Sequence, residues 1–453
     1  MISISLGALH VWALGVEAAG GFISLPLTRH TIASAPSQAF VKRQTDTSLS
    51  VAHNRDHYLI DVDVGTPKQR VQLAVDVIGS GLTVMGTCDT PRYSFSSECR
   101  KTGAYNASAS TTGMFVAGDG YDFDEEDTDM SFARFNYYAD DVTIAGLGTL
   151  KNKTFRAWNS SEGYTHGYLG LGFSQNSTEP SILDNLVAEG LIGAPAFGVT
   201  LDGGIDSGSL VLGGVNTKKF SGPLTKVPVV DAPEGVEDWE RNKYWINIDG
   251  VAVDNENGTR SSWDGFKAEI QTAYAYSTIP FHMFMAAAEG MGVHNWSDPN
   301  WDIIPCSRRD TVNGSLDLQI SGFTASIPYA DLIIPYEVPG AKEGDCYIAL
   351  SEGQYYEEFP VWSLGTVFLN SVYTVFDQGS KAVWMAKHID CGSEPVAFTK
   401  GDEIRGQCDG AGSSGESGSS GGGTPDNDDG SGGSRMAVDM VLILGAVLAS
   451  LAV

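Results

Sequence analysis

The chain has 453 residues, of which 42% are hydrophobic and 19% charged, a composition that suits a protein with a large buried core. It carries 28 Lys and Arg against 56 Asp and Glu, and a surface with this net charge of −28 repels nucleic acid and anionic lipid. The acidic excess favours solubility, and it also suits a protein adapted to acidic surroundings. The 54 glycines and the short runs of Val, Thr, Ser and Tyr predict an all-β fold.

The N-terminal segment is typical of a secreted protein. Residues 1–20 have an apolar centre and a small-residue end, which predicts a signal peptide. Residues 21–43 are predicted to form a short pro-segment that ends at the dibasic pair Lys42-Arg43, a site for a furin-like processing protease. An ordinary charged pair in an exposed arm is the alternative.

A strand pattern occurs once in each half of the chain. "YLIDVDVGTPKQRVQLAVD" (58–76) alternates apolar and polar residues around a Gly-Thr-Pro turn, which predicts a hairpin whose second strand ends at Asp76. "YWINIDGVAVD" (244–254) and "FKAEIQTAYAYSTIP" (266–280) repeat this plan and end near Gln271. Each half also has an apolar segment that contains Gly, "GYLGLGF" and "VWSLGTVFLN", and another backbone segment is expected to pass close to this Gly.

The C-terminal tail predicts a membrane anchor. Residues 409–435 form a Gly/Ser-rich linker by composition, and residues 436–453 end in the apolar run "MVLILGAVLASLAV". Fourteen apolar residues are too few to span a bilayer comfortably. The pattern is that of a signal for attachment of a glycosylphosphatidylinositol (GPI) anchor, with the attachment point within 427–431. A short tail anchor is the alternative.

Sequons and cysteines agree with a secreted chain. No C-x-x-C spacing occurs, and the H-x-x-x-H spacing of His53 and His57 has no C-x-x-C to complete a zinc ligand set, so no metal site is predicted. Six cysteines in a secreted chain predict three disulfides with 15 connectivities, of which pairing between sequence neighbours is favoured. The seven candidate glycosylation sites are Asn106, Asn152, Asn159, Asn176, Asn257, Asn295 and Asn313.

Five segments follow one another along the chain: "VGTPKQ", "GYLGLGF", "GSLVLGGVNTKKFSGPLTKVPV", "IPYADLI" and "SLGTVFLNSVYTVFD". With these segments in this order, the chain resembles pepsin-family aspartic proteases, close to fungal secreted, GPI-anchored, yapsin-like members. The match covers roughly residues 58–408. The resemblance implies a bilobal fold with an inter-lobe cleft, with lobes at 44–225 and 226–408. It also implies the disulfides Cys88–Cys99 and Cys306–Cys346, which leaves Cys391 with Cys408.

The first catalytic loop of such proteases, Asp-Thr-Gly-Ser/Thr, aligns with "DVIGSGLTV" (76–84). Asp76 is then the retained first catalytic Asp. Val77 replaces a Thr whose hydroxyl bonds across the lobes in the family. Ile78 adds a β-branched side chain where the family has Gly.

The second loop aligns with "QTAYAYSTIP" (271–280), so Gln271 falls on the second catalytic Asp. The chemistry of the family needs two carboxyl groups that share one proton, and an amide does not titrate in this way. Glu269 would face the same side of a strand about 7 Å along and is a poor substitute. Asp377 ends a buried-looking strand and is expected to be structural. The residues expected to line the cleft are Val77, Ile78, Thr272, Ala273 and Tyr274.

The flap, a hairpin whose Tyr covers substrate in active members, corresponds to residues 122–146. The alignment places Asp127 or Thr128 at the Tyr position, and neither can replace its packing. The acidic run 119–129 lacks the spacing of a calcium loop and reads as a solvated loop.

The functional hypothesis is a secreted, glycosylated pseudoprotease, held at the plasma membrane or cell wall by a GPI anchor. It is expected to be monomeric, to need no cofactor, to bind no nucleic acid, and to bind peptide, protein or cell-wall polymer in its cleft. An active aspartic endopeptidase with an atypical dyad is the first alternative. A purely structural wall protein is the second.

Overall fold

A computed structural model describes the central part of the chain. The predicted signal peptide, the Lys42-Arg43 pair, the Gly/Ser-rich linker and the apolar tail lie outside the described residues. The described residues are 23–29, 57–88, 96–124, 131–144, 147–161, 165–174, 181–201, 207–236, 241–254, 258–272, 274–294, 302–335, 342–356 and 359–408.

Strands dominate the described residues of the first half. They are β1 (Ile23–Arg29), β2 (Tyr58–Val64), β3 (Gln69–Asp76), β4 (Leu82–Met85), β5 (Met114–Asp124), β6 (Ser131–Ile144), β7 (Gly148–Ser161), β8 (Gly167–Gly170), β9 (Ala196–Leu201), β10 (Ser207–Leu212), β11 (Gly214–Asn216), β12 (Ser221–Pro223) and β13 (Thr225–Pro228).

The described residues of the second half are also mostly strands. They are β14 (Trp245–Asp254), β15 (Arg260–Ile270), β16 (Ser277–Ile279), β17 (Ile303–Pro305), β18 (Ser315–Ile320), β19 (Phe323–Pro328), β20 (Ile333–Pro335), β21 (Asp345–Ile348), β22 (Leu350–Glu352), β23 (Gln354–Tyr356), β24 (Phe359–Val361), β25 (Ser363–Leu364), β26 (Val372–Asp377), β27 (Ala382–Lys387), β28 (Pro395–Ala397) and β29 (Arg405–Gln407).

Helices are short and lie between strands. The α-helices of the described residues are α1 (Ser96–Thr102), α2 (Ile182–Ala188), α3 (Phe281–Gly290), α4 (Tyr329–Leu332) and α5 (Thr366–Ser371). Short 3-10 turns span Ala107–Ala109, Thr217–Lys219, Cys306–Asp310 and Gly401–Glu403. The fold is all-β and bilobal, as predicted. Among the described residues, no helix is long and apolar enough to cross a membrane.

The largest sheet has 13 strands in the order β13-β27-β26-β9-β10-β1-β2-β3-β8-β4-β7-β6-β5. Strands β26 and β27 come from the second half of the chain and pair with β9 and β13, so one sheet joins strands of both predicted lobes. A separate five-stranded sheet, β19-β18-β14-β15-β25, belongs to the second lobe.

Strand β1 lies inside the large sheet, although it comes from the predicted pro-segment. It pairs antiparallel with β10 over six residue pairs, from Ile23↔Leu212 to Thr28↔Ser207. Its other edge pairs with β2 at Thr28↔Leu59 and Arg29↔Tyr58. The segment 21–43 thus contributes a strand that is hydrogen-bonded on both sides.

The hairpin predicted around the Gly-Thr-Pro turn is confirmed. Strands β2 and β3 pair antiparallel from Leu59↔Ala74 to Val64↔Gln69. The turn starts at Gly65, whose φ of +80° is a conformation that glycine adopts without a Cβ penalty. Buried apolar side chains of β3 belong to a continuous core that also contains residues of the second lobe such as Ile246 and Phe376.

The structure contains the three predicted disulfides, Cys88–Cys99, Cys306–Cys346 and Cys391–Cys408. Each bond links sequence neighbours and closes a loop within one lobe. At least one cysteine of each bond is buried, namely Cys99, Cys346 and Cys408, whereas Cys391 is exposed.

Candidate active site

The first loop begins where β3 ends, at Asp76. The Asp76 carboxylate accepts two backbone hydrogen bonds, from the N–H of Ile78 to Oδ1 (2.8 Å) and from the N–H of Gly79 to Oδ2 (2.9 Å). These bonds fix the carboxylate in a tight turn. Asp76 and Ile78 are half-buried, whereas the side chain of Val77 is completely buried in the core.

A second chain segment passes directly beneath this loop, as the pattern "GYLGLGF" predicted. Strand β8 runs parallel to β3, with Gly170 opposite Asp76. The Leu171 N–H donates to the Asp76 carbonyl at 2.6 Å, and the Gly172 N–H donates to the Gly79 carbonyl at 2.7 Å. A Cβ atom on Gly170 would lie 2.6 Å from the carbonyl oxygens of Gly79 and Gly81, so only glycine fits there.

The second loop repeats this arrangement. Strand β15 runs parallel to β25, with Ile270 opposite Leu364, and the Gln271 N–H donates to the Leu364 carbonyl at 3.0 Å. A Cβ atom on Gly365 would lie 2.7 Å from the Tyr274 carbonyl oxygen. The Thr366 N–H donates to that same carbonyl at 2.9 Å, which fixes the half-buried Tyr274 at the end of the loop.

One hydrogen bond joins the two loops. The Thr272 hydroxyl Oγ1 donates to the Val75 carbonyl at 2.6 Å, between the residue after Gln271 and the residue before Asp76. Both residues are buried. The structure therefore brings the two loops together at the positions that the repeated sequence pattern indicates. The reciprocal bond has no donor, because Val77 has no hydroxyl group.

The two central side chains differ in charge. Burial raises the pKa of the Asp76 carboxyl, although the hydrogen bonds from Ile78 and Gly79 and the positive charges of Lys243 and Arg156 act to lower this pKa. Gln271 is 5% exposed and uncharged.

Glu269 forms a buried ion pair. Its carboxylate lies 3.0 Å from the ammonium group of Lys243, and both side chains are buried. This ion pair agrees with the expectation that Glu269 does not replace the second catalytic carboxyl. Asp377 accepts hydrogen bonds from the N–H and hydroxyl of Ser380 and from the indole N–H of Trp384, which agrees with its expected structural role.

The predicted flap is a β-hairpin. Strands β5 and β6 pair antiparallel up to Asp124↔Ser131. Its tip, with Asp127 and Thr128, lies outside the described residues, as does Ala273 of the second loop. Behind the flap, Asp140 on β6 accepts hydrogen bonds from Tyr105 and Thr112. Burial acts to raise the pKa of Asp140, but these and neighbouring hydrogen bonds outweigh burial and lower it.

Two further features concern metal ligands and the predicted glycosylation sites. No group of three or more His, Cys, Asp or Glu within the described ranges is arranged to hold a metal ion. The sequon residues that the structure describes are all exposed: Asn106, Asn152, Asn159 and Asn313. The sequons at Asn176, Asn257 and Asn295 lie outside the described residues.

Sequence reasoning missed two polar residues that support the site. The Gln378 amide Nε2 donates to the carbonyls of Leu171 (3.0 Å) and Gly172 (2.7 Å), beneath the Asp76 loop. Lys243 is buried next to Glu269, although lysine is rarely buried. Neither residue belongs to a sequence motif. The residues that accept the hydrogen bonds of Gln378 lie 206 and 207 residues away in the sequence, and Glu269 lies 26 residues from Lys243.

The protein has two β lobes, and in each lobe a loop is crossed by a Gly-containing segment. The two loops meet near the Asp76 carboxylate, and this arrangement defines a pepsin-like protein. The family model described as eukaryotic aspartyl protease matches residues 57–388. The chain therefore belongs to the family of pepsin-like eukaryotic aspartyl proteases.

Known relatives align with most of this chain. Rhizopuspepsin-2 of Rhizopus niveus is 30% identical over 414 residues, which cover 84% of this chain and 97% of that protein. "Probable aspartic-type endopeptidase opsB" of Aspergillus oryzae is 25% identical, covering 80% of this chain and 75% of that protein. Cathepsin E of Aquarana catesbeiana is 28% identical, covering 73% and 79%.

Proposed function

We propose that this protein is a catalytically impaired aspartic protease that binds peptide, protein or cell-wall polymer in its cleft. The observation that carries the proposal is the 2.6 Å hydrogen bond from Thr272 to the Val75 carbonyl. This bond joins the residue after Gln271 to the residue before Asp76, which supports a position for Gln271 near Asp76, where the two loops of an aspartic protease present their carboxyl groups. A carboxamide there leaves the centre with one titratable group.

Peptide hydrolysis in this fold requires both members of the pair. One ionised carboxylate takes a proton from the attacking water, and one protonated carboxyl donates a hydrogen bond to the scissile carbonyl. Gln271 can donate a hydrogen bond through its amide, but it neither accepts nor releases a proton in acidic solution. A ligand can therefore be held by Asp76 and Gln271 without the proton transfers that cleave it.

An active endopeptidase with an atypical dyad is the second candidate. It is favoured by the retained Asp76, whose pKa is raised, and by the relative from Aspergillus oryzae, which is named a probable aspartic-type endopeptidase. A raised pKa is what a general acid needs in mildly acidic solution. In this case a solvent-derived or substrate group would have to perform the role of the second carboxyl.

The two candidates differ in one measurement. We expect wild-type protein to show no pepstatin-sensitive cleavage of a quenched-fluorescent peptide library between about pH 3 and pH 6, where ordinary carboxyl groups titrate. Asp76→Ala is the matched control, because it removes the remaining carboxyl. Cleavage by the wild type that disappears in Asp76→Ala would replace the pseudoprotease proposal with the endopeptidase one.

We also propose that the mature protein is secreted and held at the cell surface by a GPI anchor. The support is the signal peptide predicted at 1–20 and the spacer and apolar tail of 409–453. We expect phosphatidylinositol-specific phospholipase C to release the protein from membranes. Mass spectrometry of mature protein should show no peptide from 440–453, and an intact peptide of this kind would exclude the anchor.

A further inference from the structure

A disulfide-closed segment follows the region that the family model matches. The match ends at residue 388, and residues 389–408, called the strap from here on, continue beyond it. The Cys391–Cys408 bond joins cysteines that are 17 residues apart in the sequence, so the two ends of the strap are held together. The strap therefore lies outside the part of the chain that family membership accounts for.

The strap is held on the first half of the chain by two small strand pairings and by its ends. Strand β28 pairs antiparallel with β11, and β29 pairs antiparallel with β12, each over three residue pairs. The Cys391 N–H donates to the Lys218 carbonyl at 2.9 Å, and the Cys408 N–H donates to the Phe220 carbonyl at 3.3 Å. Small two-stranded pairings are marginally stable by themselves in water, so the disulfide is what keeps both of them in place.

The strap covers an apolar cluster on the large sheet. Its side chains Phe398 and Ile404 are buried in this cluster, together with Phe220 and with Trp384 of β27. The strap backbone also packs directly on the indole ring, because a Cβ atom on Gly401 would lie 2.2 Å from a ring atom of Trp384. Release of the strap would expose these side chains to water, which the hydrophobic effect opposes.

The disulfide that closes the strap is the most accessible of the three. Cys391 is exposed to solvent, although its partner Cys408 is buried. The cysteines of the other two bonds are buried or half-buried: Cys88, Cys99, Cys306 and Cys346. A thiolate must reach a sulfur atom in order to attack it, and exposed disulfides are in general the labile or regulatory ones.

We propose that the Cys391–Cys408 bond is a thiol-sensitive lock, and that its reduction releases the strap and uncovers the apolar cluster. The reductant is a low-molecular-weight thiol. The lock couples the closed state of this end of the protein to the thiol content of its surroundings. This inference goes beyond the proposed function, because it concerns the strap and holds whether or not the protein cleaves peptides.

Reduction proceeds in two steps of thiol–disulfide exchange. In the first step, the thiolate of the reductant attacks the exposed Cys391 sulfur and forms a mixed disulfide with it. The Cys391–Cys408 bond breaks, and its electron pair leaves with the Cys408 sulfur, which then takes up a proton. In the second step, another thiolate of the reductant attacks the mixed disulfide. This step releases Cys391 as a thiol and leaves two reductant molecules joined by a disulfide.

Limited reduction of the native full chain tests the accessibility of the lock. The protein is incubated with reduced glutathione at neutral pH, quenched with N-ethylmaleimide at successive times and mapped by mass spectrometry. We expect Cys391 and Cys408 to be modified by glutathione or N-ethylmaleimide at least about tenfold faster than the other four cysteines, because only this bond has an exposed cysteine.

Trypsin measures the release of the strap, because Lys400 and Arg405 lie within it and are exposed. We expect cleavage after these two residues to become at least about tenfold faster once the bond is reduced, since local opening controls proteolysis. Cys391→Ala/Cys408→Ala should be cleaved at this faster rate without glutathione.

Cys88→Ala/Cys99→Ala is the matched control, because it removes a disulfide outside the strap. Trypsin should cleave its strap at the wild-type rate. Reduction of all three bonds at equal rates would overturn the proposal. So would reduction of Cys391–Cys408 that leaves the cleavage of the strap unchanged, because the bond would then not be what holds the strap in place.

Discussion

Gly170→Ala is expected to lower the free energy of unfolding by about 3 kcal/mol, the upper range for overpacking a core position. The added methyl group would lie 2.6 Å from two backbone carbonyl oxygens, those of Gly79 and Gly81, and 2.7 Å from the Gly79 carbonyl carbon. Backbone atoms cannot move aside as the end of a long side chain can. The loop that carries Asp76 must therefore shift.

Gly81→Ala is the matched control for this change. Gly81 belongs to the same loop and accepts the Gly170 N–H at 2.8 Å, yet a Cβ atom on Gly81 would meet no atom within 4 Å. Its unfolding free energy should stay within about 0.5 kcal/mol of the wild type. Urea denaturation followed by tryptophan fluorescence measures both variants. Equal losses in both, or none in Gly170→Ala, would contradict the close approach of the two segments.

The local pattern of the sequence determines most of the site. Alternation of apolar and polar residues around Gly65 predicts the β2–β3 hairpin, because period-two patterning and a turn glycine act over a few residues. The same pattern places Asp76 at a strand end and predicts the glycine crossing at Gly170. These predictions are confirmed, since each rests on neighbours in the chain or on a motif with a steric cause.

Interactions between distant segments are what the sequence does not reveal. Strand β1 lies between β10 and β2. Its residue Ile23 pairs with Leu212, which is distant in the sequence, and no local pattern predicts that these two residues pair. The helix α5 inside the apolar "SLGTVFLNS" segment was likewise not predicted, because short apolar runs have no distinct period. The Lys243–Glu269 pair is a third case: a single lysine before a strand carries no signal of burial.

Restoring catalysis should require more than the missing carboxyl. Gln271→Asp alone is expected to yield little peptide cleavage, because only one of the two cross-loop hydroxyls is present, that of Thr272. Val77 is completely buried and cannot donate the reciprocal bond. An error of about 1 Å in the placement of a reacting group can reduce the rate roughly 100-fold.

The variant Gln271→Asp/Val77→Thr/Ile78→Gly/Ala273→Gly rebuilds both loops to the pattern of the family. We expect it to cleave the peptide library at pH 3 to 6 at least about 100-fold faster than Gln271→Asp, since the second hydroxyl fixes the new carboxyl relative to Asp76. Asp76→Ala added to the rebuilt protein is the control and should abolish the gain, because the two carboxyl groups act as a unit. If Gln271→Asp alone were as active as the rebuilt protein, the loop substitutions would not matter. A folded, rebuilt protein without activity would show that the impairment of this cleft lies outside its two loops.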